Sequence, residues 1–167
     1  MKNKTLYLIR HAKSSWDDPS LRDHDRPLNK RGKRDAPFMA KFLKESGIRP
    51  DIIISSTAVR ALDFAKEIAE ETGYKKKNII ATKDMYMADE DEMLRILRKV
   101  DDSHNIVFMV GHNPGITYFA NSLSNYNISN IPTSGIFRVD FETEKWSDTD
   151  FGKGKFMSFD YPKKFKH

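Results

Sequence analysis

Short β-rich runs alternate with longer segments of helical periodicity along the chain. This alternation constrains the fold most, because strands that are separated by helices pack as a mainly parallel sheet with helices on its faces. The predicted strands cover residues 5–9, 51–55, 78–82, 105–110, 136–142 and 155–161. The predicted helices cover residues 33–47, 58–73, 91–100 and 116–123. The sequence therefore predicts the α/β class.

A single domain is expected over residues 1–167, because no linker, repeat or change of composition interrupts this pattern. The clearest helix, 58–73, carries an apolar stripe at helical spacing and ends at Gly73, a residue typical of helix C-termini. Pro37 lies inside the helix predicted at 33–47, so we expect that helix to begin near Asp35 or to bend there.

Cationic or titratable side chains follow three of the predicted strands, where each strand ends. Arg10 and His11 follow the first strand, Arg60 lies in the first turn after the second, and His112 follows the fourth. Because ligands of parallel α/β sheets bind outside the carboxyl ends of the strands, we expect these four side chains to converge on one site. Two guanidinium groups can clamp a phosphoryl group, a neutral imidazole can attack phosphorus, and a second, protonated imidazole can stabilise the transition state.

Composition and motifs argue against several other classes of protein. The chain has no cysteine, and therefore no disulfide or thiolate site. Its apolar runs are far shorter than the ~20 residues of a membrane span, and no signal peptide is evident, so we expect a cytoplasmic location without membrane association. The net charge of +5 is spread among acidic residues, which favours an anionic small substrate or an acidic protein partner over nucleic acid. With no carboxylate cluster, P-loop or serine-hydrolase motif, no metal or other cofactor is expected.

Four motifs occur in order along most of the chain: LIRHAKSSWD at 8–17, RPLNKRG at 26–32, SSTAVRALDFA at 55–65 and VGHNPG at 110–115. With this ordered set the chain resembles the histidine phosphatase superfamily (phosphoglycerate mutase-like), and within it the small SixA-type phosphohistidine phosphatases. The resemblance implies a three-layer αβα sandwich. It also implies a metal-independent phosphatase that forms a covalent phosphohistidine intermediate and acts on phosphohistidine or a related phosphorylated protein.

The resemblance assigns roles to the side chains at the strand ends. It implies that His11 is the nucleophile and that Arg10, Arg60 and His112 form the phosphate pocket. It also implies that Arg26 binds substrate near the pocket rim. For Arg26, a salt bridge to Asp23 or Asp25 is an equal alternative.

Three departures from the family pattern bear on the substrate. Ala12 replaces a glycine, which could narrow the pocket, and Asp17 replaces an asparagine, so its carboxylate either points away or selects a cationic substrate group. Met85 matches the position where relatives that act on phosphate esters carry an acidic proton donor. Three nearby carboxylates, which a solvated loop or a helix cap would also explain, remain candidates for that donor: Asp84, Asp89 and Glu90.

The absence of a matched acid favours substrates with a phosphorus–nitrogen bond. The protonated ring of a phosphohistidine is a good leaving group and needs no acid from the enzyme, whereas an alkoxide leaving group needs a proton. Trp16 either lines the pocket mouth or packs into the core. Two other functions stay open: a small-molecule phosphomonoesterase of the same superfamily, and a non-catalytic phospho-binding module. The sequence assigns neither a physiological substrate nor an oligomeric state.

Overall fold

A six-stranded sheet with helices on both faces forms the centre of the computed structural model, which describes residues Asn3–Phe165. The strands are β1 (Asn3–Arg10), β2 (Ile52–Ser56), β3 (Ile80–Thr82), β4 (Ile106–Gly111), β5 (Ile136–Glu142) and β6 (Lys155–Asp160). The α-helices of this described part are α1 (Lys30–Glu45), α2 (Val59–Thr72), α3 (Glu90–Arg98) and α4 (Gly115–Ser124).

The strand order across the sheet is β3-β2-β4-β1-β5-β6. β1 pairs in parallel with β4, and β2 pairs in parallel with both β4 and β3. β5 is antiparallel to its neighbours β1 and β6, so it alone runs against the other strands of the described chain. The expected mainly parallel sheet is therefore confirmed.

Alternating side chains of the central strand β1 face two separate apolar layers. Leu6 and Leu8 pack into the cluster that contains the buried residues of α3 and α4. Tyr7 and Ile9 pack into the cluster that contains those of α1 and α2. This period of two is expected for a strand that is buried on both faces. The result is the three-layer αβα sandwich, which confirms the predicted fold class.

Helix α1 begins earlier than predicted, at Lys30 rather than at 33 or near Asp35, and continues through Pro37. It begins there because the side chain of Asn29 accepts a hydrogen bond from the main-chain N–H of Gly32 at 2.8 Å, which caps the first turn. Gly32 must lack a side chain, because a Cβ at this position would collide with the main-chain oxygen of Lys13. The cap therefore brings the start of α1 against the loop that follows β1.

The other boundaries agree with the predictions to within two residues, and Gly73 ends α2 in the left-handed conformation, as expected. β3, for example, begins two residues late, at Ile80, because Lys76–Asn78 form a short 3-10 turn. No helix within Asn3–Phe165 is both long enough and apolar enough to cross a bilayer.

Candidate active site

The register between β1 and β4 places the two predicted histidines side by side. Arg10 pairs with Gly111 across these parallel strands, so His11 and His112 are the next residues on each strand. The main-chain N–H of His11 donates to the oxygen of Gly111 at 3.0 Å. The centroids of the two imidazole rings are 5.1 Å apart. Both rings therefore lie at the carboxyl edge of the sheet, where the sequence places the site.

The His11 ring is buried and is held in one tautomer. Its Nδ1 lies 2.7 Å from the main-chain oxygen of Ala12, which can only accept a hydrogen bond, so Nδ1 carries the hydrogen. The lone pair of the ring is consequently on Nε2. Burial lowers the pKa of His11 to about 4; the Ala12 carbonyl opposes this shift, and the charges of Arg60 and Arg10 add to it. The ring is therefore neutral at neutral pH.

The His112 ring is also buried and neutral. Its Nε2 lies 2.7 Å from Oγ of Ser56, and Ser56 Oγ also accepts the N–H of Ala58 at 3.1 Å. Burial, followed by the nearby His11 and Arg60, lowers the pKa of His112 to about 3. The ring is therefore neutral in the free protein, because burial and the charges of its neighbours disfavour protonation. The protonated second imidazole that the sequence suggests concerns the transition state, and it stays a prediction.

Two of the three predicted arginines, Arg10 and Arg60, are anchored by their outer nitrogens. Arg10 donates from Nη1 to the oxygen of Ile131 at 2.9 Å. Arg60, which is buried, donates from Nη1 to the main-chain oxygen of Asp23 at 2.6 Å and from Nη2 to its carboxylate at 2.9 Å. Burial and the charge of Arg60 lower the pKa of Arg10. The fold therefore holds two guanidinium groups close together at a desolvated site.

Arg26 combines the two roles that the sequence leaves open. It lines the same cavity as the histidines, and its Nη2 also forms a salt bridge with Asp23 at 3.0 Å. Its guanidinium carbon lies 3.4 Å from the centroid of the Trp16 ring. Trp16 is 75% exposed, so it forms part of the cavity mouth and is not core.

All five predicted residues line one cavity of about 540 Å³ at the carboxyl edge of the sheet. They are Arg10, His11, Arg26, Arg60 and His112. Asp17 also lines this cavity and is exposed. Within residues Asn3–Phe165, no group of three or more His, Cys, Asp or Glu side chains is arranged to hold a metal ion.

Asp23 and Tyr86 complete the site, and neither was predicted to do so. The carboxylate of Asp23 accepts hydrogen bonds from Arg26, from Arg60 and, at 2.6 Å, from the hydroxyl of Tyr86. Burial raises the pKa of Asp23, but these three hydrogen bonds outweigh it and hold the pKa well below its usual range. The Tyr86 ring meets His112 edge-on, with centroids 5.4 Å apart.

None of the three candidate proton donors lines the cavity. The side chain of Asp89 caps α3 by accepting the N–H of Glu92 at 2.9 Å, and Glu90 accepts a hydrogen bond from Ser122 at 3.3 Å. Asp84 is exposed on the turn before Tyr86. Met85, at the matched position, is fully buried in the core.

Comparison with known proteins agrees with this arrangement. A family model described as the histidine phosphatase superfamily, branch 1, matches residues 6–95. An uncharacterised chloroplastic protein of Arabidopsis thaliana is 38% identical over 135 residues, which cover 75% of this chain but only 62% of the Arabidopsis protein. An uncharacterised protein of Mycobacterium tuberculosis is 29% identical over 167 aligned residues, and the match covers 93% of this chain and all of that protein.

The fold has counterparts among solved structures. A crystal structure assigned as the phosphohistidine phosphatase SixA of Agrobacterium tumefaciens matches with a TM-score of 0.82 and 27% identity. That match covers 95% of this chain and 98% of the other.

Proposed function

The chain is a SixA-like member of the histidine phosphatase superfamily, and we propose that it is a metal-independent phosphatase in which His11 is the nucleophile. We further propose that its preferred substrates carry the phosphoryl group on nitrogen, as in phosphohistidine. The phosphohistidine activity named for the Agrobacterium relative supports this choice of substrate. The expected cytoplasmic location stays a prediction of the sequence.

One observation carries the proposal: the site holds buried nitrogen atoms with no hydrogen-bond partner. These atoms are Arg10 Nε, Arg60 Nε and His112 Nδ1, and all three residues line the cavity beside His11. An unpaired buried donor costs about 1–3 kcal/mol of stability, so buried donors in folded proteins nearly always have a hydrogen-bond partner. Three unpaired donors at one cavity therefore favour a bound ligand that accepts their hydrogen bonds. The hydroxyl of Ser56 can donate to Nε2 of His112, and in that tautomer Nδ1 of the ring is also a donor. A phosphoryl group satisfies all three donors at once.

The reaction needs two displacements at phosphorus. In the first, the lone pair of His11 Nε2 forms a bond to phosphorus, and the leaving group departs with the electron pair of its bond. In the second, a water oxygen attacks the phosphorus of the phosphohistidine, the bond between phosphorus and Nε2 breaks, and its electron pair returns to Nε2. Inorganic phosphate leaves with the two protons of the water, and the ring is neutral again. The cations of Arg10 and Arg60 stabilise the phosphoryl oxygens in both steps.

The carboxylates of the site favour a leaving group that brings its own proton. Asp23 is held ionised by its three donors, so it is a poor acid at neutral pH. Asp17 lines the cavity, and an acidic side chain there attracts the protonated imidazole of a phosphohistidine, a cation that a phosphate ester does not carry. Imidazole therefore leaves readily, whereas an alkoxide lacks the general acid that is typically worth ~10²–10⁴-fold.

A leaving-group series tests this proposal. We expect kcat/KM to fall from a phosphoramidate or phosphohistidine peptide, through an aryl phosphate, to an alkyl phosphate. Equal values across the series would show that the enzyme supplies an acid, and would favour the alternative small-molecule phosphomonoesterase.

The His11→Asn variant tests the covalent step. Asparagine can keep the hydrogen bond to Ala12 but cannot attack phosphorus, so we expect loss of turnover and of acid-labile radiolabel transferred from substrate. Circular dichroism checks that the variant is folded. A wild-type protein that binds phosphate but shows no turnover would instead identify a non-catalytic phospho-binding module.

A further inference from the structure

A second cavity of about 370 Å³ adjoins the cavity that holds His11 and His112, which we call the catalytic cavity, and shares part of its wall. Arg10, Lys13 and Thr133 line both cavities. The second cavity extends to Arg31 at the start of α1 and to Lys163 in the C-terminal 3-10 turn. A substrate whose phosphoryl group lies beside His11 can therefore reach this cavity without leaving the protein surface. We call it the basic cavity.

The basic cavity has a surplus of positive charge. Four cations line it, Arg10, Lys13, Arg31 and Lys163, against a single carboxylate, Asp35. Asp35 is almost fully buried, and it is paired with Arg31 at 3.4 Å and with Arg34, outside the cavity, at 3.5 Å. The one negative charge is therefore already engaged within the fold.

Two of the four cations have no partner among residues 3–165. The ammonium groups of Lys13 and Lys163 are exposed, and neither makes a hydrogen bond or salt bridge with the part of the chain that the structure describes. The next residue, Lys164, does have a partner, because its ammonium group bonds to Asp160 at 2.9 Å. Positive charges that line one cavity make its electrostatic potential positive, and the cavity then attracts an anion.

We propose that the basic cavity binds a second anionic group of the substrate, a carboxylate or phosphate carried next to the phosphoryl group that is removed. The group can come from an acidic side chain of a phosphoprotein or from an acid group of a small phosphorylated molecule, since the same cations recognise both. This inference rests on the proposed phosphatase activity, and it adds a determinant of substrate choice outside the catalytic cavity.

The test uses two aryl phosphates that differ in one charge: phenyl phosphate and 3-carboxyphenyl phosphate. The readout is the ratio of kcat/KM for the carboxylated compound to kcat/KM for the plain one. We expect wild type to prefer the carboxylated compound and Lys163→Glu to lower the ratio by about three- to tenfold, the size of one or two partly exposed charge pairs.

A matched control separates a local contact from the change of net charge. Lys75 is exposed, lies before β3 at the opposite end of the sheet, and is not part of the basic cavity. We expect Lys75→Glu to leave the ratio as in wild type. A second comparison, of phosphohistidine peptides with acidic or neutral flanks, distinguishes the two sources of the anion: a larger effect of Lys163→Glu on the peptide pair indicates a phosphoprotein.

The outcomes separate this inference from the function on which it rests. If wild type hydrolyses phenyl phosphate but shows no carboxylate preference, or if Lys163→Glu and Lys75→Glu change the ratio equally, the basic cavity is not a subsite and the phosphatase proposal stands. If wild type hydrolyses neither aryl phosphate nor any phosphohistidine peptide, the proposed function fails, and this inference fails with it.

Discussion

The two buried histidines should make the stability of the protein fall steeply as the pH falls below about 6.5. In the unfolded chain each ring binds a proton at its ordinary pKa of 6.5, whereas in the folded protein burial lowers the pKa to about 4 for His11 and about 3 for His112. Above the ordinary value both states are neutral, and the stability is at its maximum. As the pH falls below it, protons bind only to the unfolded state and favour unfolding.

The magnitude follows from the two pKa values. Each ring lowers the free energy of unfolding by about 1.36 kcal/mol per pH unit while its folded form stays neutral. From neutrality to about pH 5, His11 and His112 therefore cost about 2 kcal/mol each, or about 4 kcal/mol together. Domains of this kind are stable by only about 5–15 kcal/mol, so the loss is large.

Urea unfolding at about pH 7, 6 and 5 measures this slope. The buffers must be free of phosphate, because an anion in the cavity favours the protonated rings and reduces the effect. We expect His11→Asn and His112→Asn each to remove about half of the slope, and the double variant to remove nearly all of it. A wild-type stability that is constant over this range, or a slope that survives in the double variant, would refute the argument that both rings are buried and neutral.

Three further outcomes are expected. Dialysis against a chelator should leave kcat/KM unchanged, because the proposed mechanism uses only arginine and histidine; loss of activity that a divalent ion restores would contradict it. Asp23→Asn should lower kcat/KM by roughly tenfold to hundredfold, since the charge-assisted bonds that hold Arg60 and Arg26 are worth about 1.5–3 kcal/mol; unchanged kinetics would show that Asp23 does not position them. Gly115→Ala should lower the free energy of unfolding by about 1–3 kcal/mol in urea titrations, because its Cβ would collide with the main-chain oxygen of Ala88; a variant as stable as wild type would show that the two segments separate freely.

Local sequence patterns account for the layers of the fold and for the edge at which the site lies. Alternation along the strands predicts which residues face each helical layer, and Leu6 and Tyr7 indeed face opposite layers. The start of α1 was missed because the cap at Asn29 is followed by polar residues and precedes the apolar stripe. Local patterns do not predict the order of the strands in the sheet, because β1 and β4 are separated by almost a hundred residues. Only the pairing of these two strands brings His11 beside His112.

The charge state of the site depends on the same long-range neighbours. Motif spacing identifies His112 but does not predict that its ring is neutral. The ring is neutral because it is buried and because Arg60 and His11, which lie far away in the sequence, are its neighbours in the fold. Asp23 was considered only as a partner for Arg26, three residues away, whereas its carboxylate also binds Arg60 and the hydroxyl of Tyr86. These bonds hold Asp23 ionised, so the carboxylate that most closely contacts the arginines positions them and is a poor proton donor. The fold thus supplies cations for the phosphoryl group and, in the proposed mechanism, leaves the proton to the substrate, which is the physical basis for preferring nitrogen over oxygen leaving groups.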